Sequence, residues 1–169
     1  MPTDRQLLQL ATRVGRRLLH ARRRVATAES CTGGWVAKAL TDVSGSSQWF
    51  ECGYITYSNA AKVRDLGVSE RVLRRHGAVS AETARAMARG ALRVARVDIA
   101  VAITGIAGPD GGTLAKPVGT VWFGSAVRRS RTVRLAATRK RFTGDREAVR
   151  RKSVAYALRL IQQHLVARA

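Results

Sequence analysis

Cysteine is nearly absent from this sequence: there are two, Cys31 and Cys52, in 169 residues. Two thiols build neither a disulfide framework nor a zinc site, so a reducing cytoplasm is the expected compartment. Proline is also scarce, with three, and aromatic residues make up 5%. Long apolar runs are missing. The stretch from Ile99 to Gly108, free of charge and proline, falls far short of the roughly 18 apolar residues a membrane helix needs. Arg5, Arg13, Arg16 and Arg17 interrupt any apolar segment near Met1, so no signal peptide is expected there. Acid is in short supply too: 11 Asp and Glu stand against 31 Lys and Arg, a net charge of +20.

That excess raises the question of nucleic acid. Its distribution weakens the idea. Five of the basic residues are Lys and 26 are Arg, spread along the whole chain. Clusters at 22–24, 128–131, 139–141 and 150–152 have no interleaved aromatics, which a single-strand platform would need. General use of Arg on the surface is the simpler reading, with nucleic-acid binding expected to be weak and non-specific. The length predicts one domain over 1–169. A chain of this size buries roughly 68–70% of its unfolded surface, enough to fold without a disulfide or metal.

Periodicity places the elements. Leu7, Leu8, Leu10, Ala11, Val14, Leu18 and Leu19 recur near helical spacing from Asp4 to about Ala21, with Thr3 and Gln6 as a capping box. Val25 to Glu29 reads as a short strand, and Ser30-Cys31-Thr32-Gly33-Gly34 as a turn opening a helix from Trp35 to Leu40. Trp49 to Tyr57 is a strand by composition. Ala60 to Leu66 and Glu70 to Arg75 are short helices. Ser80 caps a longer one, about Ala81 to Ala95, with Ala84, Met87, Ala88, Ala91 and Leu92 inward. Asp98 to Thr104 is a buried strand followed by a Gly-rich loop, Gly105 to Pro117. Val118 to Val127 and Thr132 to Ala137 form a hairpin through the basic stretch 128–131. A helix from Asp145 to Val166 closes the chain, with Asp145 and Glu147 in its first turn. The economical architecture is α/β: a three-layer α/β/α single domain with a mixed sheet.

Chemistry concentrates in the turns. Ser30 follows a strand and precedes a Gly-rich helix start, near helix N-terminal N–H groups able to hold an oxyanion. Gly33 and Gly34 allow close approach of a substrate. An ordinary helix cap is the plain alternative for Ser30. Cys31 is a rival nucleophile, although a small buried cysteine is the commoner role. Histidine is the usual base, but His20 and His164 fall toward the ends of terminal helices, where surface positions are expected, and His76 falls at a helix-to-loop joint. A desolvated lysine is the other choice. Lys62 follows Tyr57 by five residues across a strand end and a helix start, so both can face one cleft. A solvated helix position is the alternative for Lys62, and a core or interface aromatic for Tyr57. The segment Thr104-Gly105-Ile106-Ala107-Gly108-Pro109-Asp110-Gly111-Gly112 offers flexible backbone and N–H donors for an anion. A plain long loop fits it equally. Lys116 and Arg146 either add charge to a phosphate or are solvated.

Six segments occur in order: Ala28-Glu29-Ser30-Cys31-Thr32-Gly33-Gly34; Tyr54-Ile55-Thr56-Tyr57-Ser58-Asn59 with Lys62; His76-Gly77-Ala78-Val79-Ser80; Gly105-Ile106-Ala107-Gly108-Pro109-Asp110-Gly111-Gly112; Lys116-Pro117-Val118-Gly119-Thr120-Val121; and Phe142-Thr143-Gly144-Asp145-Arg146 with Arg150. Together they resemble the CinA C-terminal domain family, with its stand-alone nicotinamide-nucleotide amidases, over nearly the whole chain. The resemblance implies deamidation of nicotinamide mononucleotide to nicotinate mononucleotide and ammonia, without metal or cofactor. It implies Ser30 as nucleophile, Lys62 as general base and Tyr57 relaying or orienting the proton. Gly33, Gly34, Thr104, Gly105, Gly108, Gly111, Gly112 and Arg146 would hold the nucleotide. Family members resemble homodimers. Two other classes stay open: a nucleic-acid-associated protein, as the family's competence-related name and the charge permit, and an inactive binding module, against which Ser30, Tyr57 and Lys62 all argue.

Overall fold

A computed structural model describes residues 1–165. The first helix, α1 (Asp4–His20), starts at Thr3, whose hydroxyl accepts the Gln6 N–H while the Gln6 side chain accepts the Thr3 N–H. That is the expected capping box. Of the apolar residues read at helical spacing, Leu7, Leu10, Ala11, Val14 and Leu18 are buried, whereas Leu8 and Leu19 point to the exposed side. The remaining α-helices and strands are β1 (Val25–Glu29), α2 (Trp35–Thr41), β2 (Phe50–Ile55), α3 (Asn59–Leu66), α4 (Glu70–His76), α5 (Ala81–Val94), β3 (Ile99–Gly105), β4 (Thr120–Arg129), β5 (Thr132–Arg141) and α6 (Arg146–His164), with a short 3-10 turn, Ser46–Gln48, between α2 and β2.

The five strands form one mixed sheet in the order β2-β1-β3-β4-β5. The first three run parallel, and β4 and β5 add antiparallel neighbours. Val25, Ile99, Val101, Ile103, Val121 and Phe123 face a core shared with α1, α2 and α6. On the opposite face Ala26, Ala28, Ala100, Ala102 and Ala126 meet Met87, Ala88, Ala91 and Leu92 of α5, with Leu66 and Leu73 beside them. These are the three predicted layers. Small side chains let α5 lie close to the sheet: a Cβ on Gly124 would stand 2.0 Å from the Ala84 carbonyl oxygen. Strand β3 is buried on both faces from Ile99 to Thr104, which is why it reads as a continuous apolar run. Each fully buried Leu or Ile in these layers contributes about 1.5–3 kcal/mol.

Most element ends fall within a residue or two of the sequence reading, and the following differences have a physical reason. Strand β2 is shorter, ending at Ile55, because Thr56 and Tyr57 turn toward α3. Strand β5 continues to Arg141 although 138–141 carries no apolar residue; its ladder with β4, from Phe123↔Thr138 to Thr120↔Arg141, extends it where periodicity is silent. Arg128 and Arg129 belong to β4, so only Ser130 and Arg131 turn the hairpin. Asp145 precedes α6 as its cap, accepting the Ala148 N–H at 2.8 Å. Val166, the expected end of that helix, lies outside the described residues, as do the last positions of the 1–169 domain. Among the described residues no helix is long and apolar enough to cross a membrane.

Candidate active site

Parallel pairing brings the C-terminal ends of β1, β2 and β3 side by side, with Glu29 opposite both Ile55 and Ile103. The chain leaving β1 stays attached to its neighbours. The Ser30 N–H donates to the Ile103 carbonyl, and the Thr56 N–H donates to the Glu29 carbonyl, each at 2.9 Å. Ser58 then caps α3 by accepting the Ala61 N–H at 3.0 Å. This fixes the first turn of α3 over the end of β1 and directs Lys62 inward.

Lys62 is 1% exposed. Its Nζ lies 3.1 Å from Ser30 Oγ and donates to the carbonyls of Thr56 at 2.7 Å and Tyr57 at 3.1 Å. Burial lowers its pKa, opposed only by the nearby Cys31. The solvated-helix alternative therefore falls. A neutral amine has two N–H groups and one lone pair. With both N–H groups given to the two carbonyls, the lone pair is left for the Ser30 hydroxyl, the arrangement a general base requires.

Tyr57 reaches Lys62 through its carbonyl, whereas its hydroxyl accepts from Arg146 Nη2 at 3.2 Å. Its side chain is exposed. Arg146 also donates to the Gly108 carbonyl at 2.8 Å. Hydrogen bonds thus join Ser30, Lys62, Tyr57, Arg146 and Gly108 in one line, although they come from four separate stretches of sequence. Arg146 has no carboxylate partner among the described residues. Its charge remains available to an anion.

The turn after β1 corrects two expectations. Ser30 is not the cap of α2; Gly34, with φ 91°, occupies that position. Nor are the helix N-terminal N–H groups vacant. The Glu29 carboxylate, fully buried, accepts from Gly34 at 3.0 Å, Val36 at 3.0 Å and Ala37 at 2.8 Å. On the other side of the turn Arg150 donates through Nε to the Cys31 carbonyl at 3.1 Å and through Nη2 to the Thr32 carbonyl at 2.9 Å. Sequence reasoning gave neither Glu29 nor Arg150 a role. The available signals were an acid directly before the turn and an arginine one helical turn beyond Arg146.

The other singled-out residues serve mostly as supports. Thr104, 1% exposed, donates its hydroxyl to the Ala78 carbonyl at 2.8 Å. Gly105 is the last residue of β3 rather than loop, and a Cβ there would stand 2.8 Å from the Thr120 carbonyl oxygen. At Gly108 and Gly112 a Cβ would meet Val118 at 2.6 and 2.9 Å, so these glycines admit the neighbouring chain. At Gly111, with φ 84°, a Cβ would meet Ile106 at 3.7 Å, an ordinary van der Waals contact. A Cβ on Gly33 would stand 3.4 Å from Arg150 Nη2. Lys116 Nζ donates to the His76 carbonyl at 3.1 Å. Cys31 is buried, which pushes its thiol up to about 12 and removes it as a neutral-pH nucleophile. His20 is exposed as expected. His164 is not: it is half-buried, and burial, then Arg134 and Arg129, lower its pKa.

The CinA C-terminal domain model matches residues 7–165. Over 164 residues the chain is 54% identical to nicotinamide-nucleotide amidohydrolase PncC of Escherichia coli K12, covering 97% of this chain and 98% of that one. It is also 54% identical over 151 residues to the protein of the same name from Pseudomonas putida, covering 88% and 91%. The crystal structure of the competence/damage inducible protein CihA from Agrobacterium tumefaciens superposes with a TM-score of 0.90 at 40% identity, covering 99% of this chain and 98% of that one. With family-wide coverage, high identity and the same fold all agreeing, the chain belongs to the CinA C-terminal domain family.

Proposed function

We propose that this protein is a nicotinamide-nucleotide amidase that converts nicotinamide mononucleotide to nicotinate mononucleotide and ammonia in pyridine-nucleotide salvage. The observation that carries the reading is the buried Lys62 amine 3.1 Å from Ser30 Oγ. The 54% identity to relatives named for this activity supports the substrate.

The reaction runs in two halves. Lys62 takes the Ser30 proton as Oγ attacks the carboxamide carbon, forming a C–O bond and an oxyanion. The Lys62 ammonium returns that proton to the amide nitrogen, the C–N bond breaks and ammonia leaves. Water then attacks the acyl-enzyme, with Lys62 accepting its proton. Ser30 departs as the hydroxyl, and the carboxylate product is released. Tyr57 acts as an orienting group, its carbonyl holding Lys62 and its hydroxyl holding Arg146. Arg146, the end of β3 and the loop that follows it receive the nucleotide, with Thr104, Gly105, Gly108, Gly111 and Gly112 shaping the wall. Gly33 and Gly34 keep the nucleophile turn free of side chains.

The working unit is a homodimer in the cytoplasm, and contact with nucleic acid is weak and non-specific. The test is ammonia release from nicotinamide mononucleotide by the purified protein without added metal, followed alongside nicotinate mononucleotide formation. Absence of both products, in a folded preparation, overturns the reading.

A further inference from the structure

The N–H groups from Ser30 to Lys38 can be accounted for one by one. Ser30 donates to Ile103, Gly33 to Ser30, Trp35 to Thr32 and Lys38 to Gly34. Gly34, Val36 and Ala37 donate to the Glu29 carboxylate. Two bond to no other residue among the described residues, those of Cys31 and Thr32, immediately after Ser30; the Cys31 N–H meets only its own thiol. An oxyanion formed on a carbon bonded to Ser30 Oγ needs donors at this position. The start of α2 cannot supply them, because a buried carboxylate already occupies it.

Both vacant N–H groups belong to peptides whose carbonyls are held. The Ser30 carbonyl, on the peptide of the Cys31 N–H, accepts from Gly33 at 3.1 Å. The Cys31 carbonyl, on the peptide of the Thr32 N–H, accepts from Arg150 Nε at 3.1 Å. Across a planar trans peptide the carbonyl and N–H point in opposite directions. Holding the carbonyl on the α6 side therefore aims the Thr32 N–H away from Arg150. A cationic donor on the carbonyl also polarises the N–H of the same peptide. The second Arg150 bond, to the Thr32 carbonyl, fixes the next peptide as well. The guanidinium is kept in place by the Trp35 ring, 5.3 Å from centroid to Cζ.

We propose that Arg150 is a positioning residue for the amidase reaction, acting through the Cys31–Thr32 peptide to set and polarise a backbone oxyanion site formed by the N–H groups of Cys31 and Thr32. The inference rests on the amidase reading for its substrate, but it concerns any acyl or phosphonyl group carried on Ser30. Arg151 provides the internal control. It stacks on the same Trp35 ring at 4.8 Å, yet it bonds to Asp4 and Glu147 and not to the turn.

The experiment compares wild type, Arg150→Ala, Arg150→Lys and Arg151→Ala. Two readouts are taken: kcat and KM for nicotinamide mononucleotide, and the rate at which a fluorophosphonate labels Ser30, which places a phosphonyl oxygen where the oxyanion would sit. Removing one oxyanion donor costs about 10²–10³ in kcat. Arg150→Ala is expected to lower kcat and the labelling rate by about 10²-fold, with KM nearly unchanged and the pH inflection of Lys62 unmoved. Added guanidinium restores part of the loss. Arg150→Lys, which cannot hold two carbonyls at once, stays slow, and Arg151→Ala keeps wild-type kcat. A melting temperature lowered without loss of kcat or labelling rate in Arg150→Ala overturns the inference. If the wild type releases no ammonia but labels at Ser30, with Arg150→Ala about 10²-fold slower, the substrate reading fails and the positioning role stands.

Discussion

Lys62 and Ser30 are 32 positions apart in sequence and 3.1 Å apart in space, and among the described residues no carboxylate forms an ion pair with the lysine. A salt bridge would have kept the ammonium protonated. Here two main-chain carbonyls and a serine hydroxyl surround an amine whose charged form burial penalises. That environment suits the proposed pairing of a base with its nucleophile.

Ser30→Ala is expected to abolish turnover, since removing a nucleophile can cost about 10⁶ in kcat. Cys31→Ala keeps most of it, because the buried thiol stays protonated at neutral pH and the Cys31 N–H survives the change. Ammonia release by the two variants, checked for equal folding by circular dichroism, decides the matter. A dead Cys31→Ala enzyme would remove Ser30 from its role.

The pH profile follows from the direction of the Lys62 shift. With Lys62 as the proposed base, the neutral amine is the active form, and kcat/KM is expected to rise with pH through the Lys62 inflection. Burial puts that inflection below the ordinary lysine value of 10.5. Lys62→Arg is expected to be nearly inactive across the range, because a guanidinium does not lose its proton. Near wild-type kcat in Lys62→Arg sinks the base assignment.

Arg146 is expected to read the phosphate. Charge-assisted hydrogen bonds contribute about 1.5–3 kcal/mol each, and about 1.4 kcal/mol is tenfold. Two such bonds make nicotinamide mononucleotide a better substrate than nicotinamide riboside by about 10²-fold or more in kcat/KM. Arg146→Ala narrows that ratio by weakening the nucleotide alone. Equal kcat/KM for nucleotide and riboside in the wild type rules the role out.

Gly124 tests the packing of α5. A methyl group there would stand 2.0 Å from the Ala84 carbonyl oxygen, and backbone cannot move aside as a side chain does. Overpacking of this kind costs about 1–3 kcal/mol, so Gly124→Ala lowers the melting temperature by about 2–12 °C. An unchanged thermal midpoint means that the helix and sheet are less closely packed than this contact implies.

Association with duplex DNA is expected to be weak and to fall steeply with salt, by a log–log slope of about −0.9 for each phosphate contacted. Fluorescence anisotropy across a salt series measures it. Tight, sequence-selective binding at physiological salt contradicts this expectation and favours a nucleic-acid role.

The sequence by itself determined what depends on near neighbours. Helical spacing from Leu7 to Leu18, the Thr3 and Ser80 caps and the apolar run at 99–104 each express energies that act within a few residues, so their elements are legible in a string. The order of motifs was legible too, and with it Ser30, Tyr57 and Lys62. What only the tertiary structure decided is how side chains far apart share their hydrogen bonds. Tyr57 and Arg146 are 89 positions apart, and Arg150 and Cys31 are 119 apart. No local pattern says that the Tyr57 hydroxyl goes to Arg146 while its carbonyl goes to Lys62, or that Glu29 folds forward over the start of α2. The same holds for 138–141, a strand through its ladder with β4 and not through its own side chains. Parallel register brings three strand ends to one edge of the sheet, and the reach of each side chain from that edge selects its partner. Those distances exist only once the sheet has formed.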